Sequence, residues 1–279
     1  MTTKTPPELV FLIIDPQNSF CHPVKGELYV KGAEKDMVRL AQLLTRLSSQ
    51  IDTIYVTLDT HHELDVAHPI FWVNARGEHP APFTRISKQD VIEQVWQPFQ
   101  PNLLSPPFAT LQERMVEYVT RLEQNGRYQL TIWPPHCRIG TPGHNVYEPL
   151  GEALRQWELN HYEMVRYILK GSNMFTEHYS GVQADVPDPN DPSTQLNTAL
   201  IQTLEQARMI VFSGEASSHC VANTVRDIVQ HFQQNTINKC ILLKDAMSPV
   251  TGFESFSEDF FHEMAARGMK IVTAADFSV

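Results

Sequence analysis

Short, wholly apolar runs alternate along the chain with stretches whose apolar residues recur every three or four positions. Leu9-Val-Phe-Leu-Ile-Ile14 predicts a buried strand, residues 33–47 a helix with one apolar face, and residues 52–58 a second strand. The rhythm then stops. Seven prolines interrupt the chain between Pro69 and Pro107, and only residues 90–96 keep a weak helical spacing. Proline lacks the N–H donor that helices and central strands require, so residues 69–110 read as a long insertion with little regular structure. Regularity returns with helices over 111–124, 146–160, 194–207, 218–234 and 254–267. Between and after them lie strands over 129–133, 164–169, 209–213, 239–243 and 270–273. A smaller irregular piece, around 183–195, carries Pro187, Pro189 and Pro192.

Strands that are apolar along their length and separated by helices predict a mostly parallel sheet covered on both faces. The fold class is therefore α/β, a three-layer doubly wound, Rossmann-like architecture. With no repeat, low-complexity tract or clear linker, residues 1–279 read as one domain carrying two insertions. Apolar residues make up 42% of the chain, which excludes disorder for most of it. Twenty-two basic against 32 acidic residues give a net charge of −10, the wrong sign for a general binder of nucleic acid or anionic membrane. The run Leu9–Ile14 is too short for a bilayer span or a signal-peptide core, so a cytoplasmic protein is expected. Its four cysteines form no CxxC pair, which argues against a disulfide framework and a thiolate zinc site.

In an open parallel sheet, ligands bind beyond the carboxyl ends of the strands. Reactive groups follow five of the predicted strands: Asp15; Asp59 and His61; His136 and Cys137; Lys170; and the segment Glu215 to Cys220. Cys220 stands where a helix begins, where free N–H groups and the helix dipole favour a thiolate and could hold an oxyanion; the alternative is a small buried hydrophobe. Asp15 is either a local hydrogen-bond acceptor or a base for a neighbouring thiol. Lys170 is either a solvated strand-end lysine or a charge that favours thiolate and oxyanion. Asp59 and His61, two apart in an extended segment, can share one cation; His136 could complete a site with open positions, and His62 should point elsewhere.

At these residues the chain resembles the isochorismatase-like cysteine hydrolases, and among them the nicotinamidases. The matching stretches are LIIDPQNSF, LDTHHELDVAHPIFW, IWPPHCRIGTPGH, ILKGSN and SGEASSHCVANTVRD, in the family's order. The resemblance implies an Asp15–Lys170–Cys220 triad that hydrolyses amides through a thioester. It implies metal ligands Asp59, His61 and His136, with His68 where some nicotinamidases place a fourth, and zinc as the metal, iron or manganese being alternatives. Phe20 and Trp133 match the aromatic pair that holds a pyridine ring. The Glu215–Ala216 bond matches a cis peptide, with the amides of Ala216 and Cys220 forming the oxyanion hole. The implied substrate is nicotinamide or a similar small aromatic carboxamide, the implied setting NAD salvage, and the implied assembly a homo-oligomer. A related amidase or ureidohydrolase with another substrate, and a catalytically silent binding protein, are the competing readings.

The implied sheet has six parallel strands, one fewer than the periodicity marks, and the short run 270–273 is the expected surplus. Two features depart from the family. About 60 residues separate His68 from Trp133, far more than a connecting loop. They include Phe71, Trp72, Arg76, His79, Phe83 and Trp96, either a lid or substrate wall over the site or packing against the body or another subunit. Glu215 stands where the family has an apolar residue. Because a carboxylate would oppose an oxyanion, it is expected to point away, onto a base or a hydrogen-bond donor.

Overall fold

Six apolar runs lie side by side in one parallel sheet, and the order in which they do so decides where the chemistry falls. The computed structural model describes residues 7–126 and 128–279. In chain order its elements are β1 (Leu9–Ile14), α1 (Asn18–Cys21), α2 (Ala33–Arg46), β2 (Thr53–Asp59), β3 (Trp72–Val73), β4 (Arg85–Ile86), α3 (Lys88–Ile92), β5 (Gln97–Pro98) and α4 (Leu111–Gln124). There follow β6 (Leu130–Thr131), α5 (Glu148–His161), β7 (Arg166–Lys170), α6 (Thr198–Gln206), β8 (Met209–Gly214), α7 (Cys220–Gln230), α8 (Gln234–Ile237), β9 (Cys240–Leu243), α9 (Glu254–Ala266) and β10 (Lys270–Val272). The six-stranded sheet has the order β10-β9-β8-β1-β2-β7, all parallel, flanked by helices. Among the described residues no helix is long and apolar enough to cross a membrane.

Strands β1, β2 and β9 are buried at every residue, as continuous apolar runs in a doubly covered sheet should be. On α2 the residues Ala33, Met37, Leu40, Leu43 and Leu44 are buried together, the spacing that puts one face of a helix against a core. Strand β7 differs: it closes one edge of the sheet, and Tyr167 and Leu169 are exposed there. The chain leaves β1 toward β2 and later returns on β1's other side as β8. The direction of strand order thus reverses between β1 and β8, the crevice where such sheets bind ligands. Gly214 makes the approach possible, because a Cβ there would sit 1.9 Å from the carbonyl oxygen of Ile14.

The surplus strand is not the expected one. Residues 270–272 pair with β9 inside the main sheet, whereas 130–131 pair antiparallel with β4 of the insertion. The backbone of this run is taken up by other partners: Ile132 donates to Thr84 and Trp133 to Ala67. Its apolar side chains serve a second cluster, in which Leu130 and Ile132 are buried with Val66, Phe71, Trp72, Ile86, Val91, Val186 and the inner face of α4. The insertion is thus more ordered than its prolines suggest, with β3 paired to β5 and a capping box between Ser87 and Asp90 starting α3. Three helices begin later than their periodicity: α5 at Glu148, with Pro149 in its first turn, α6 at Thr198, capped by Asn197, and α7 at Cys220, which also ends at Gln230, short of the expected 234.

Candidate active site

Strand register brings the first pieces together. Asp59 and Lys170 are direct partners across β2 and β7, and Asp15 follows β1, the strand beside β2. Asp15 adopts a left-handed backbone (φ 45°), which aspartate tolerates better than most residues. Its N–H donates to the Thr57 carbonyl at 3.1 Å, and its Oδ1 accepts from the Thr57 hydroxyl at 2.5 Å. From the other side of β1, the loop after β8 delivers Cys220 as the first residue of α7.

Lys170, fully buried, joins these groups. Its Nζ lies 2.8 Å from Asp15 Oδ2 and 3.7 Å from Cys220 Sγ, and donates to Asp59 Oδ1 and the His178 carbonyl, both at 2.9 Å. Burial works against charge on this amine, but Asp15 and Asp59 outweigh it and hold its ammonium well above the usual range. Burial raises the Asp15 carboxyl, against the pull of Lys170. Burial also pushes the Cys220 thiol well above its ordinary value; Lys170 opposes this and the neighbouring Asp15 adds to it. Desolvation thus works against the thiolate that a helix N-terminus favours. A protonated thiol beside a carboxylate is set up to transfer its proton, and the ammonium that touches both faces the negative charge before and after.

The four residues predicted to bind metal converge beside this group. Nitrogen atoms of His61, His68 and His136 lie within 4.8 Å of one another. Asp59 Oδ2 is 2.9 Å from His61 Nε2 and 3.3 Å from His136 Nε2. Asp65 Oδ2 engages His61 Nδ1 at 2.8 Å, and the Pro134 carbonyl engages His136 Nδ1 at 2.8 Å. The Nδ1 of His68 is buried without a hydrogen-bond partner among the described residues, and burial drives this imidazole's pKa down to about 2, so it is neutral. His62 is exposed, as expected.

A cavity opens onto both groups, lined by Phe20, Leu28, Asp59, Trp133, His136, Glu177, Tyr179, Ala216, His219, Cys220 and Val250. Phe20 and Trp133 are both buried in its wall; the Phe20 ring lies edge-on to His136 with centroids 5.4 Å apart. The Trp133 indole donates to the Tyr179 hydroxyl at 2.8 Å. The Glu215–Ala216 bond is cis. Among the described residues neither the Ala216 nor the Cys220 amide donates to a protein acceptor, so both remain available to a ligand oxygen.

The insertion touches one lining residue of the cavity, Trp133, through Phe83, and a neighbour of that residue, Phe253, through Arg85. Phe83, half exposed with φ 69°, stands edge-on to Trp133 at 5.8 Å, and Arg85 lies over Phe253 at 5.9 Å. A positive φ is uncommon for a bulky side chain. Phe71 and Trp72 belong to the second core with Trp96 packed against it, while Arg76 is exposed and His79 is held by the Trp72 carbonyl.

Sequence reasoning missed several residues that shape the site. Gln17 brackets Asp59, accepting from its N–H at 2.7 Å and donating to its carbonyl at 2.8 Å. Its only sequence signal is its place two residues after Asp15. Asp65, four residues after His61, fits the habit of carboxylates that orient ligand histidines. Glu177 faces the cavity without any local pattern, and His219 faces it from the reactive segment after β8, where it was given no role. Burial raises Glu177 to about 8 and lowers His219 to about 3, leaving both uncharged at neutral pH.

No protein-family model matches the chain, and a comparison with curated proteins finds no match. Solved structures do match it. It is similar to the nicotinamidase/pyrazinamidase of Acinetobacter baumanii at 17% identity, with 98% of this chain and 99% of that one covered and a TM-score of 0.62. Against the yeast nicotinamidase the values are 17%, 95% and 99%, with a TM-score of 0.63. Against the pyrazinamidase of Pyrococcus horikoshii, solved in complex with zinc, they are 18%, 96% and 99%, with a TM-score of 0.54. The chain thus has the isochorismatase-like hydrolase fold of these nicotinamidases over nearly its whole length.

Proposed function

We propose that the protein is a cysteine amidohydrolase that converts nicotinamide, or a similar small aromatic carboxamide, to the acid and ammonia. One observation carries the reading: a single buried ammonium, Lys170 Nζ, touches both Asp15 and Cys220, and Cys220 lines a cavity walled by Phe20 and Trp133. The shared fold with nicotinamidases agrees with it.

In this mechanism Asp15 accepts the proton of Cys220 as Sγ attacks the amide carbonyl. The carbonyl π pair moves onto oxygen, and the N–H groups of Ala216 and Cys220 hold the resulting oxyanion. Collapse expels the amine, which takes the proton back from Asp15 and leaves as ammonia, with the acyl group on sulfur. Asp15 then deprotonates a water that attacks the thioester, and the thiol is regenerated as the acid departs. Lys170 stays charged throughout and stabilises whichever neighbour carries the negative charge. The neutral carboxyl of Glu177 and neutral imidazole of His219 add hydrogen-bonding capacity to the wall without adding charge.

The cluster suits a divalent metal. Three imidazoles and one carboxylate are a donor set for zinc, iron or manganese, and the unpartnered Nδ1 of buried His68 is a nitrogen in want of a partner. Asp59, His61, His68 and His136 would hold the ion, with Asp65 and the Pro134 carbonyl fixing the tautomers of His61 and His136. Zinc is the first choice, as in the Pyrococcus horikoshii pyrazinamidase complex. When bound, such an ion supplies Lewis-acid attraction that orients a ring nitrogen or a water.

The test is ammonia release from nicotinamide, pyrazinamide, and aliphatic and carbamoyl amides, with metal analysis of the same sample. Nicotinamide and pyrazinamide should be hydrolysed, and Cys220→Ala should abolish turnover while circular dichroism and metal content stay unchanged. Release from non-aromatic amides alone rejects the aromatic substrate. Turnover by Cys220→Ala at the parent rate rejects the nucleophile.

A further inference from the structure

The loop between β8 and α7 carries a carboxyl that this mechanism leaves unused. Glu215 precedes Ala216, is completely buried, and does not line the cavity. Its Oε2 accepts from the Ser248 N–H at 3.1 Å, which supplies the expected donor, while its Oε1 has no donor among the described residues. No base is among its partners. Its other neighbour is a second carboxyl, Asp36 on α2, which is held by the hydroxyl of the same Ser248 whose N–H binds Glu215. Asp36 is already supplied with donors: Arg39 pairs with its Oδ1, and the Ser248 hydroxyl donates to its Oδ2 at 2.5 Å. Two ionised carboxylates offer only acceptors, so they repel unless one holds a proton. Asp36, beside the guanidinium, is the charged member, and Glu215 is the one that keeps the proton.

Ser248 makes this pair relevant to catalysis. Its carbonyl accepts from the Ser217 N–H at 2.9 Å, while its own N–H binds Glu215. The residues on either side of Ala216 are thus both tied to Ser248, and Ser248 is tied to α2 through Asp36. We propose that Glu215 is a positioning residue held as a neutral acid, and that the proton it holds beside Asp36 keeps the Ala216 amide aimed at the oxyanion and sets an alkaline limit to turnover. The inference rests on the amidohydrolase reading of the site.

The surroundings favour the neutral form. Burial raises Glu215 well above the usual carboxylate range, with Asp36 and Glu34 on α2 adding to it and only the Ser248 amide opposing. Arg39 is spent on Asp36 and on the Asp245 carbonyl, and Cys21 on α1 is itself driven up by burial and by Glu215. Losing the proton sets two like charges against each other beside the Ser248 tie and adds negative charge next to the oxyanion site. The sign follows from linkage. A carboxyl raised on folding contributes stability at low pH that is lost as pH rises through its folded value.

The experiment compares the full chain with Glu215→Gln and Asp36→Asn from neutral to alkaline pH, reading melting temperature and the kcat/KM of ammonia release from nicotinamide. Gln offers a donor that does not titrate, and Asn lets Glu215 ionise with a donor facing it. In both variants the alkaline fall in melting temperature should flatten relative to the parent. In Glu215→Gln the alkaline limb of kcat/KM should move up by about one pH unit or more, and Glu215→Ala should lose activity that Gln restores. Melting and rate profiles that superimpose on the parent's in both variants overturn the proposal. If no amide is hydrolysed at any pH, the amidohydrolase reading fails by itself, and the melting profiles still decide whether Glu215 holds the proton.

Discussion

The central sheet and the insertion bury their apolar side chains in two separate clusters, and the two are assembled differently. Around the sheet, long strands and helices each contribute a whole face, as β1, β2 and α2 do. In the insertion the cluster is collected from fragments: a two-residue strand at Trp72, another at Arg85–Ile86, one turn at Val91, and the inner face of α4. The sheet also carries buried charge, the Asp15–Lys170–Asp59 group, whereas the second cluster is built of apolar and aromatic side chains. Reactive groups therefore sit on the part with the most regular backbone, and the irregular part touches the cavity wall at Trp133. This separates the chemistry of the site from the support of its wall.

Three substitutions can break or sharpen that contrast. The largest effect is expected of Lys170→Ala, which leaves Asp15 and Asp59 buried without their cation. It should eliminate ammonia release and lower unfolding stability by about 3–5 kcal/mol, read by urea titration. Parental stability in that variant would show that the charged group does not hold the sheet ends together. Next comes Trp72→Ala in the second cluster, where the indole is wholly buried and donates to the Val66 carbonyl at 2.7 Å. A loss of about 3–5 kcal/mol is expected, as for a ring in any well-packed core. A loss below about 1 kcal/mol would mean that the fragments pack loosely and the two clusters are not equivalent. The smallest effect belongs to Phe83→Ala beside Trp133. An edge-to-face contact is worth about 0.5–1.5 kcal/mol, so stability should fall by no more than about 1.5 kcal/mol, and with the Trp133 ring less firmly held KM should rise by a few-fold. An unchanged KM for every amide tested would remove the insertion from substrate recognition.

Much of the sheet was legible because a buried strand needs an apolar side chain at every position, and the run Leu9–Ile14 meets that demand without help from distant residues. The run over 129–133 meets it only in part, with Gln129 and Thr131 among its apolar residues, and it pairs with the insertion. Periodicity reports that a segment is buried, not which partner covers it. Asp15, Lys170, Cys220 and the four metal candidates could be named because each stands at or just past a strand end or inside a matching stretch. The protonation of Cys220 could not be read. It depends on how completely the thiol is desolvated and on Asp15 lying within reach, and both are set by tertiary packing. The same holds for Glu177, His219 and Asp36, whose significance comes only from what the fold places opposite them.

The pairing of Asp59 with Lys170 across two neighbouring strands has one more consequence. Strands in a sheet stand about 4.8 Å apart, so the interval between these two groups is a repeat distance of the backbone itself. A slip of one residue would turn one of the pair to the opposite face, while any slower drift is forbidden by the hydrogen-bond ladder. The reacting groups therefore behave like marks on a ruler. Loops around the cavity can lengthen, shorten or exchange side chains without the calibration of the centre being disturbed.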